Sequence, residues 1–414
     1  MTYFSYKNKE LHAEAVGLAD IATEFGTPCY VYSKAALISA FNGLSEAFKK
    51  REYMICYAVK ANSNLAVLNL FARMGSGFDI VSGGELRRVM AAQGDPRKVV
   101  FSGVGKSAEE IRAALEANIL CFNVESESEL IRLNEVAGKI GKKAPFSLRI
   151  NPDVDPRTHP YIATGLKENK FGVDYADALA LYRKAESLTH LQASGIDCHI
   201  GSQITEVAPF IDALDRILAL LDKLEKAGIS IKHIDIGGGL GIRYHDETPP
   251  NFAEYAAALL AKLGKRQQKI LIEPGRALVG HAGVLLTRVE YLKHNRGKYF
   301  AIVDAAMNDL QRPALYNAYH DILPVAQSSR IRRTYEIAGP VCESADFIGR
   351  GRKLGLAEGD LLAVMSAGAY GMSMSSNYNS RPRAAEVMVD DDKTFLIRRR
   401  ETADQLFSAE MLLS

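Results

Sequence analysis

The sequence predicts an α/β fold: a (β/α)8 TIM-like barrel followed by a mostly antiparallel β domain that also takes in the N-terminal segment. Short apolar runs alternate with amphipathic helical stretches from residue 34 to residue 275. There are eight such runs, the number a closed barrel requires. Beyond Gly275 the texture changes to strand-like segments separated by turns.

The eight runs are MICYAV (54–59), FDIV (78–81), VVF (99–101), CFNV (121–124), PFSLRI (145–150), GIDCHI (195–200), HIDI (233–236) and KILI (269–272). Between them lie patterns such as SNLAVLNLFARMG, SGGELRRVMAAQ, SAEEIRAALEAN and FIDALDRILALLDKLEKAG, whose apolar residues recur at helical spacing. After the barrel, VLLTRVEYLKH, YFAIVDA, TYEIAG, DLLAVMS, AAEVMVD and TFLIRRR read as strands. CYVYS, near the end of the first 33 residues, is extended and exceeds the barrel count, so that segment is expected to pair into the β domain. The expected domains are therefore residues 1–33, 34–275 and 276–414.

Of 414 residues, 47% are hydrophobic and 24% charged, ordinary values for a chain able to bury a large core. The formal net charge is +2, and the basic clusters at Arg330, Arg332, Arg333 and at Arg398, Arg399, Arg400 read as solvated surface, so no nucleic-acid partner is expected. Five cysteines lie far apart without zinc-site spacing, which points to reduced thiols and no metal. The N-terminus lacks a signal-peptide core and no run is long enough to cross a bilayer, so a cytoplasmic location without membrane contact is expected.

In such barrels, chemistry collects at the C-terminal ends of the strands. Lys60 follows the first run, His199 closes the sixth, Gly237, Gly238 and Gly239 follow the seventh, and Glu273 follows the eighth. A lysine buried at the end of an apolar run has a lowered pKa and can form a Schiff base with an aldehyde; a lysine paired with a barrel carboxylate is the plainer alternative. DIGGGLGIRY departs from the dinucleotide fingerprint and lies late in the chain, which weakens a NAD-binding reading. Its glycines fit either an anion cradle, phosphate foremost, or a tight turn. Glu273-Pro274-Gly275-Arg276 places a carboxylate and a guanidinium at the last strand end. Were pyridoxal phosphate bound there, Glu273 could keep its ring nitrogen protonated. His199 could lie flat against the ring or simply be a satisfied core histidine.

Taken together, YAVKANSN, GFDIVSGGEL, HIGSQI, DIGGGLGIRY, EPGRALVG, RPALYNAYH, GPVCESADF and AGAYGMSMSSNYNSRPRAAEV resemble, in order and across nearly the whole chain, the diaminopimelate decarboxylases. These enzymes belong to the alanine-racemase-like group that uses pyridoxal 5'-phosphate. The resemblance implies decarboxylation of meso-diaminopimelate at its D-centre to L-lysine and carbon dioxide. It implies that Lys60 holds the cofactor, that His199 stacks on its ring and that Glu273 faces the ring nitrogen. Gly238, Gly239, Gly275, Arg276, Ser202 and Tyr370 are implied around the phosphate, and Asp79 within the cofactor site. It further implies a homodimer with shared sites, in which Cys342 protonates the α-carbon and Glu343 binds the distal amino group. Arg276, Arg312 and Tyr316, with Tyr370 nearby, are implied to grip the distal carboxylate.

The expected rivals are decarboxylases of ornithine, arginine or carboxynorspermidine. Arg312 and Glu343 speak against the first two, because those substrates present no distal carboxylate. A racemase would set arginine, not Glu273, at the ring nitrogen. A silent homologue would have lost Lys60, Glu273 or Cys342. The glycines and prolines between residues 151 and 172 permit a closing loop without establishing one.

Overall fold

The computed structural model describes residues 3–155 and 169–413; most of the loop just mentioned, residues 156–168, lies outside them. The chain divides into two compact units. One comprises Phe41–Ile242 and Thr248–Ala277, the other Met1–Ala40, Arg243–Glu247 and Leu278–Ser414.

The first unit is the barrel. Its parallel strands are Tyr53–Ala58, Gly77–Ile80, Val99–Phe101, Cys121–Val124, Ala144–Asn151, Leu191–Asp197, His233–Asp235 and Lys269–Ile272. Each pairs with the next, and the eighth closes on the first with Ile272 opposite Ile55. Residues in the second, third and fourth strands are buried throughout, which is why these strands read as unbroken apolar runs. Helices start where a polar cap meets an amphipathic stretch. Ser82 Oγ accepts from the Glu85 amide, and Ser107 with Glu110, like Asn251 with Glu254, forms a reciprocal capping box.

The regular alternation fails after the last strand. After the eighth strand only a four-residue helix forms, Arg276–Val279. Gly280 and Gly283 stop it, because glycine disfavours helix and the chain turns there into the long strand Gly283–Asn295. A full helix, Lys34–Phe48, instead precedes the first strand.

In the second unit, Cys29–Ser33 pairs antiparallel with Gly283–Asn295 and parallel with Ala385–Asp390. All five of its residues are buried. Side chains alternate across a strand: Tyr30 and Tyr32 join Leu285 and Val289 in one core, whereas Cys29 and Val31 join Val284 and Leu286 in the other. The sheet is mixed, since Lys298–Val303 also pairs parallel with Arg333–Ala338. Two strands of this sheet were illegible in the sequence. Phe347–Leu354 carries two glycines and alternating basic residues, and Ile322–Pro324 ends in proline, so both resemble turns. The strands Phe4–Lys7, Glu10–Ala13 and Val16–Gly17 form a small sheet of their own. It meets the main sheet through a bridge between Glu10 and Ala326. No described helix is long and apolar enough to cross a membrane.

Candidate active site

The first strand ends at Ala58, and a 3-10 turn, Val59–Ala61, carries Lys60 out of it. Lys60 is not sealed in: its side chain keeps 37% exposure, while its Nζ donates to Asp79 Oδ2 at 2.7 Å. Exposure arises because the turn has left the barrel wall, so the amine is reachable and is held by a partner that is itself fully buried. Strand pairing brings that partner in, with Asp79 opposite Ala58.

Inside the barrel a nest of acids forms. Asp197 and Asp235 end neighbouring strands and lie opposite each other, and Glu273 follows the next strand. One carboxylate oxygen from each lies within 4.8 Å of the others. Burial, then the charges of Asp235, Asp79 and Asp197, pushes Glu273 well above the usual carboxylate range. Asp197 is raised well above it by burial and by Asp235, and Asp235 is pushed up to about 6 mainly by burial. Glu273 Oε1 accepts from Ser102 Oγ and Asn123 Nδ2, each at 3.4 Å. Its carboxyl therefore holds its proton more tightly than an ordinary glutamic acid does.

The glycine turn after the seventh strand is packed to its limit. Gly237 has φ +65° and its amide donates to Asp235 Oδ1 at 2.9 Å. A Cβ on Gly238 would stand 2.1 Å from the Glu273 carbonyl oxygen, and one on Gly239 2.3 Å from that of Gly201. The Gly238 amide donates to His199 Nδ1 at 3.0 Å, which fixes the ring tautomer. Burial, then the charges of Arg149 and Lys60, pushes His199 well below its ordinary pKa, so the ring is neutral. Ile204 and Gly241 join the loops after strands six and seven by main-chain bonds of 2.9 Å. Gly275 opens the short helix after strand eight, and Arg276, buried, donates through Nη2 to Ser202 Oγ at 3.0 Å.

The remaining expected residues lie in the second unit. Arg312, buried, begins a short helix, Arg312–Tyr316, whose last residue is the half-buried Tyr316. Tyr370 takes a left-handed conformation with φ 55°. Cys342 is exposed, unlike the other four cysteines, so it is no buried small hydrophobe. Its loop is clasped by Asp346, whose carboxylate accepts from the amides of Val341 at 2.8 Å and Met307 at 2.6 Å. Asn379 Oδ1 takes the Cys342 amide at 2.8 Å, and Glu343 beside it is exposed.

A partly exposed lysine, a buried acid that holds its proton tightly and a turn with no room for side chains fit pyridoxal phosphate, with its aldehyde, ring nitrogen and phosphate. The family model of the pyridoxal-binding domain of pyridoxal-dependent decarboxylases matches residues 34–280. The chain is 59% identical to the diaminopimelate decarboxylase of Vibrio cholerae, and the alignment covers 100% of both chains. The protein belongs to the diaminopimelate decarboxylase family. The Pseudomonas aeruginosa member is 57% identical, again over 100% of both chains. The crystal structure of the Helicobacter pylori diaminopimelate decarboxylase complexed with L-lysine superposes with a TM-score of 0.92 at 43% identity, covering 95% of this chain and 99% of that one.

For a diaminopimelate decarboxylase, the site holds more than the sequence reading named. Asp197, Asp235, Asn123 and Ser102 form the surroundings of Glu273, and Arg149 pairs with Glu125 at 3.2 Å near them. The signal was present, since a carboxylate inside an apolar strand run is costly unless used. Asp197 and Asp235 end their strands, whereas Lys60 and Glu273 follow theirs, so the two acids read as part of the apolar runs.

Proposed function

We propose that the protein is a pyridoxal-phosphate-dependent decarboxylase that converts meso-diaminopimelate at its D-centre to L-lysine and carbon dioxide. The observation that carries this reading is the Lys60 amine and the buried Glu273 carboxyl at the same end of one barrel. It stands in a chain 59% identical, end to end, to an enzyme of that name.

Lys60 would hold the cofactor covalently, and Asp79 positions its amine. With pyridoxal phosphate bound, Glu273 would meet the ring nitrogen with a hydrogen bond, its own proton held tightly by burial and by the charges of Asp235, Asp79 and Asp197. Neutral His199 would support the ring of the cofactor, and Gly238, Gly239, Gly275, Ser202 and Arg276, with Tyr370, would hold its phosphate. Bound pyridoxal phosphate supplies an aromatic sink for the electron pair that carbon dioxide leaves behind. Arg276, Arg312 and Tyr316 take the distal carboxylate of the substrate, Glu343 takes its distal ammonium, and Cys342 returns a proton to the α-carbon. Planar guanidinium forks suit a carboxylate, and leaving such a group desolvated without one costs roughly 2–5 kcal/mol. That cost disfavours ornithine and arginine.

The reading extends to a homodimer in which Cys342 and Glu343 serve the partner's site, and to work in the cytoplasm, where five free cysteines stay reduced. It divides the chain into a cofactor barrel of residues 34–275 and a β domain of residues 276–414 joined by residues 1–33. The deciding assay supplies the cofactor and compares three substrates. Carbon dioxide should be released from meso-diaminopimelate and scarcely from ornithine or arginine; equal release from all three would overturn the assignment.

A further inference from the structure

We propose that His320 is a positioning residue for substrate choice: it fixes the guanidinium of Arg312 in the orientation that receives the distal carboxylate. The proposal rests on the carboxylate-binding role given to Arg312 above.

His320 is fully buried, and its two ring nitrogens have different partners. Nδ1 lies 2.8 Å from the Met365 carbonyl oxygen, and Nε2 lies 2.8 Å from Arg312 Nη1. A carbonyl only accepts, so Nδ1 carries the hydrogen. Arginine only donates, so Nε2 offers its lone pair. The two contacts are compatible with one state alone, the neutral Nδ1–H tautomer, and the ring is a rigid strut from the main chain at Met365 to the guanidinium.

That main chain is itself fixed. The Met365 amide donates to the Asp321 carbonyl at 2.8 Å, and Arg352 Nη2 donates to the carbonyl of His320 at 2.8 Å. Tyr244 completes the arrangement. The Arg312 guanidinium carbon stands 4.5 Å from its ring centre, and the His320 ring meets it edge-on at 5.2 Å and 74°. One nitrogen is pinned and the guanidinium carbon stands over an aromatic ring, so the guanidinium is oriented before any ligand arrives. The choice of partner matters as much as the contact. A carboxylate in place of His320 would orient Arg312 equally well but would neutralise it and compete with the substrate; a neutral imidazole orients the charge and leaves it undiminished.

The test measures binding to the cofactor-loaded enzyme of L-lysine, which keeps the distal carboxylate, and of 1,5-diaminopentane, the same molecule without it. His320→Leu should weaken L-lysine about tenfold and leave the diamine nearly unchanged, with KM for meso-diaminopimelate rising more than kcat falls. His320→Gln, which restores an acceptor near the position of Nε2, should recover part of the loss. Added to Arg312→Ala, His320→Leu should cost nothing further, because its effect passes through that arginine. Should the leucine variant not fold, His320→Asn, which can still donate to Met365 but cannot reach Arg312, is read in the same way. Unaltered L-lysine affinity, equal loss of both ligands, or full additivity with Arg312→Ala would each overturn the proposal. If Arg312→Ala itself keeps wild-type affinity for L-lysine, the fault lies in the carboxylate assignment on which the proposal rests.

Discussion

Lys60 and Asp79 stand 2.7 Å apart, the lysine side chain partly exposed and the acid sealed. An ion pair of this kind is a resting state that holds the amine in place while leaving it accessible. Lys60→Ala should abolish covalent attachment of pyridoxal phosphate while the glycine turn still binds it weakly. Borohydride treatment followed by peptide mass analysis reads this directly, and an adduct at another lysine with activity retained would contradict it. A different residue governs acid stability. His233 is buried, its Nε2 lies 3.0 Å from Ser147 Oγ, and burial, with the charges of Lys269 and Lys232, pushes its pKa down to about 4. The unfolded chain then binds a proton near pH 6.5 that the folded chain refuses until about pH 4. Stability from this group is therefore present above pH 6.5 and falls as the pH drops toward 4, by about 2 kcal/mol at pH 5. The acids of the nest shift the other way, so the readout is the difference between wild type and His233→Asn in denaturant melts at pH 7 and pH 5. That difference should shrink at the lower pH; a constant gap would remove His233 from the account.

At the scale of elements, the turn Gly237–Gly239 does three jobs at once: it binds Asp235, sets His199 and abuts Glu273. Gly238→Ala places a carbon against the Glu273 carbonyl oxygen and must displace either the turn or the acid. Cofactor affinity should fall by roughly tenfold or more. Gly228→Ala, at φ +81° with nothing within 4 Å of the added carbon, should cost about 1 kcal/mol of stability and leave cofactor binding alone. Equal cofactor titrations for the two variants would show that the turn does not serve the site. The same elements show how far sequence carries. All eight barrel strands were legible because a strand buried on both faces is a dense apolar run bounded by polar caps. Phe347–Leu354 was not, because its arginines and glycines carry no apolar period, and its strand state comes from pairing with Arg333–Ala338. Lys60, His199 and Glu273 were legible as polar groups just past strand ends. Asp197, Asp235 and His320 were not: their importance lies in which atoms they meet, and spacing along the chain does not encode that. The exposure of Lys60 also escaped the reading, because a one-turn helix beyond the strand cannot be told from the strand itself by apolar content.

For the molecule as a whole, Cys342 and Glu343 are the expected site residues that a single chain leaves exposed, whereas Asp79, Glu273, Arg276 and Arg312 are buried. Returning a proton to a carbon is done best where water is excluded. A loop clasped by Asp346 yet open to solvent suits a role completed by a second copy of the chain. Sharing of this kind has an arithmetic consequence. In a twofold dimer, Lys60→Ala chains mixed with Cys342→Ala chains give hybrids in half of the dimers when exchange is random, and each hybrid has one site with both residues intact. About a quarter of wild-type activity should return. Each variant alone stays inactive, and mixing under conditions where dimers do not exchange restores nothing. Hybrids isolated with two different tags and found inactive would mean that Lys60 and Cys342 act within one chain, or that the thiol does not serve the reaction.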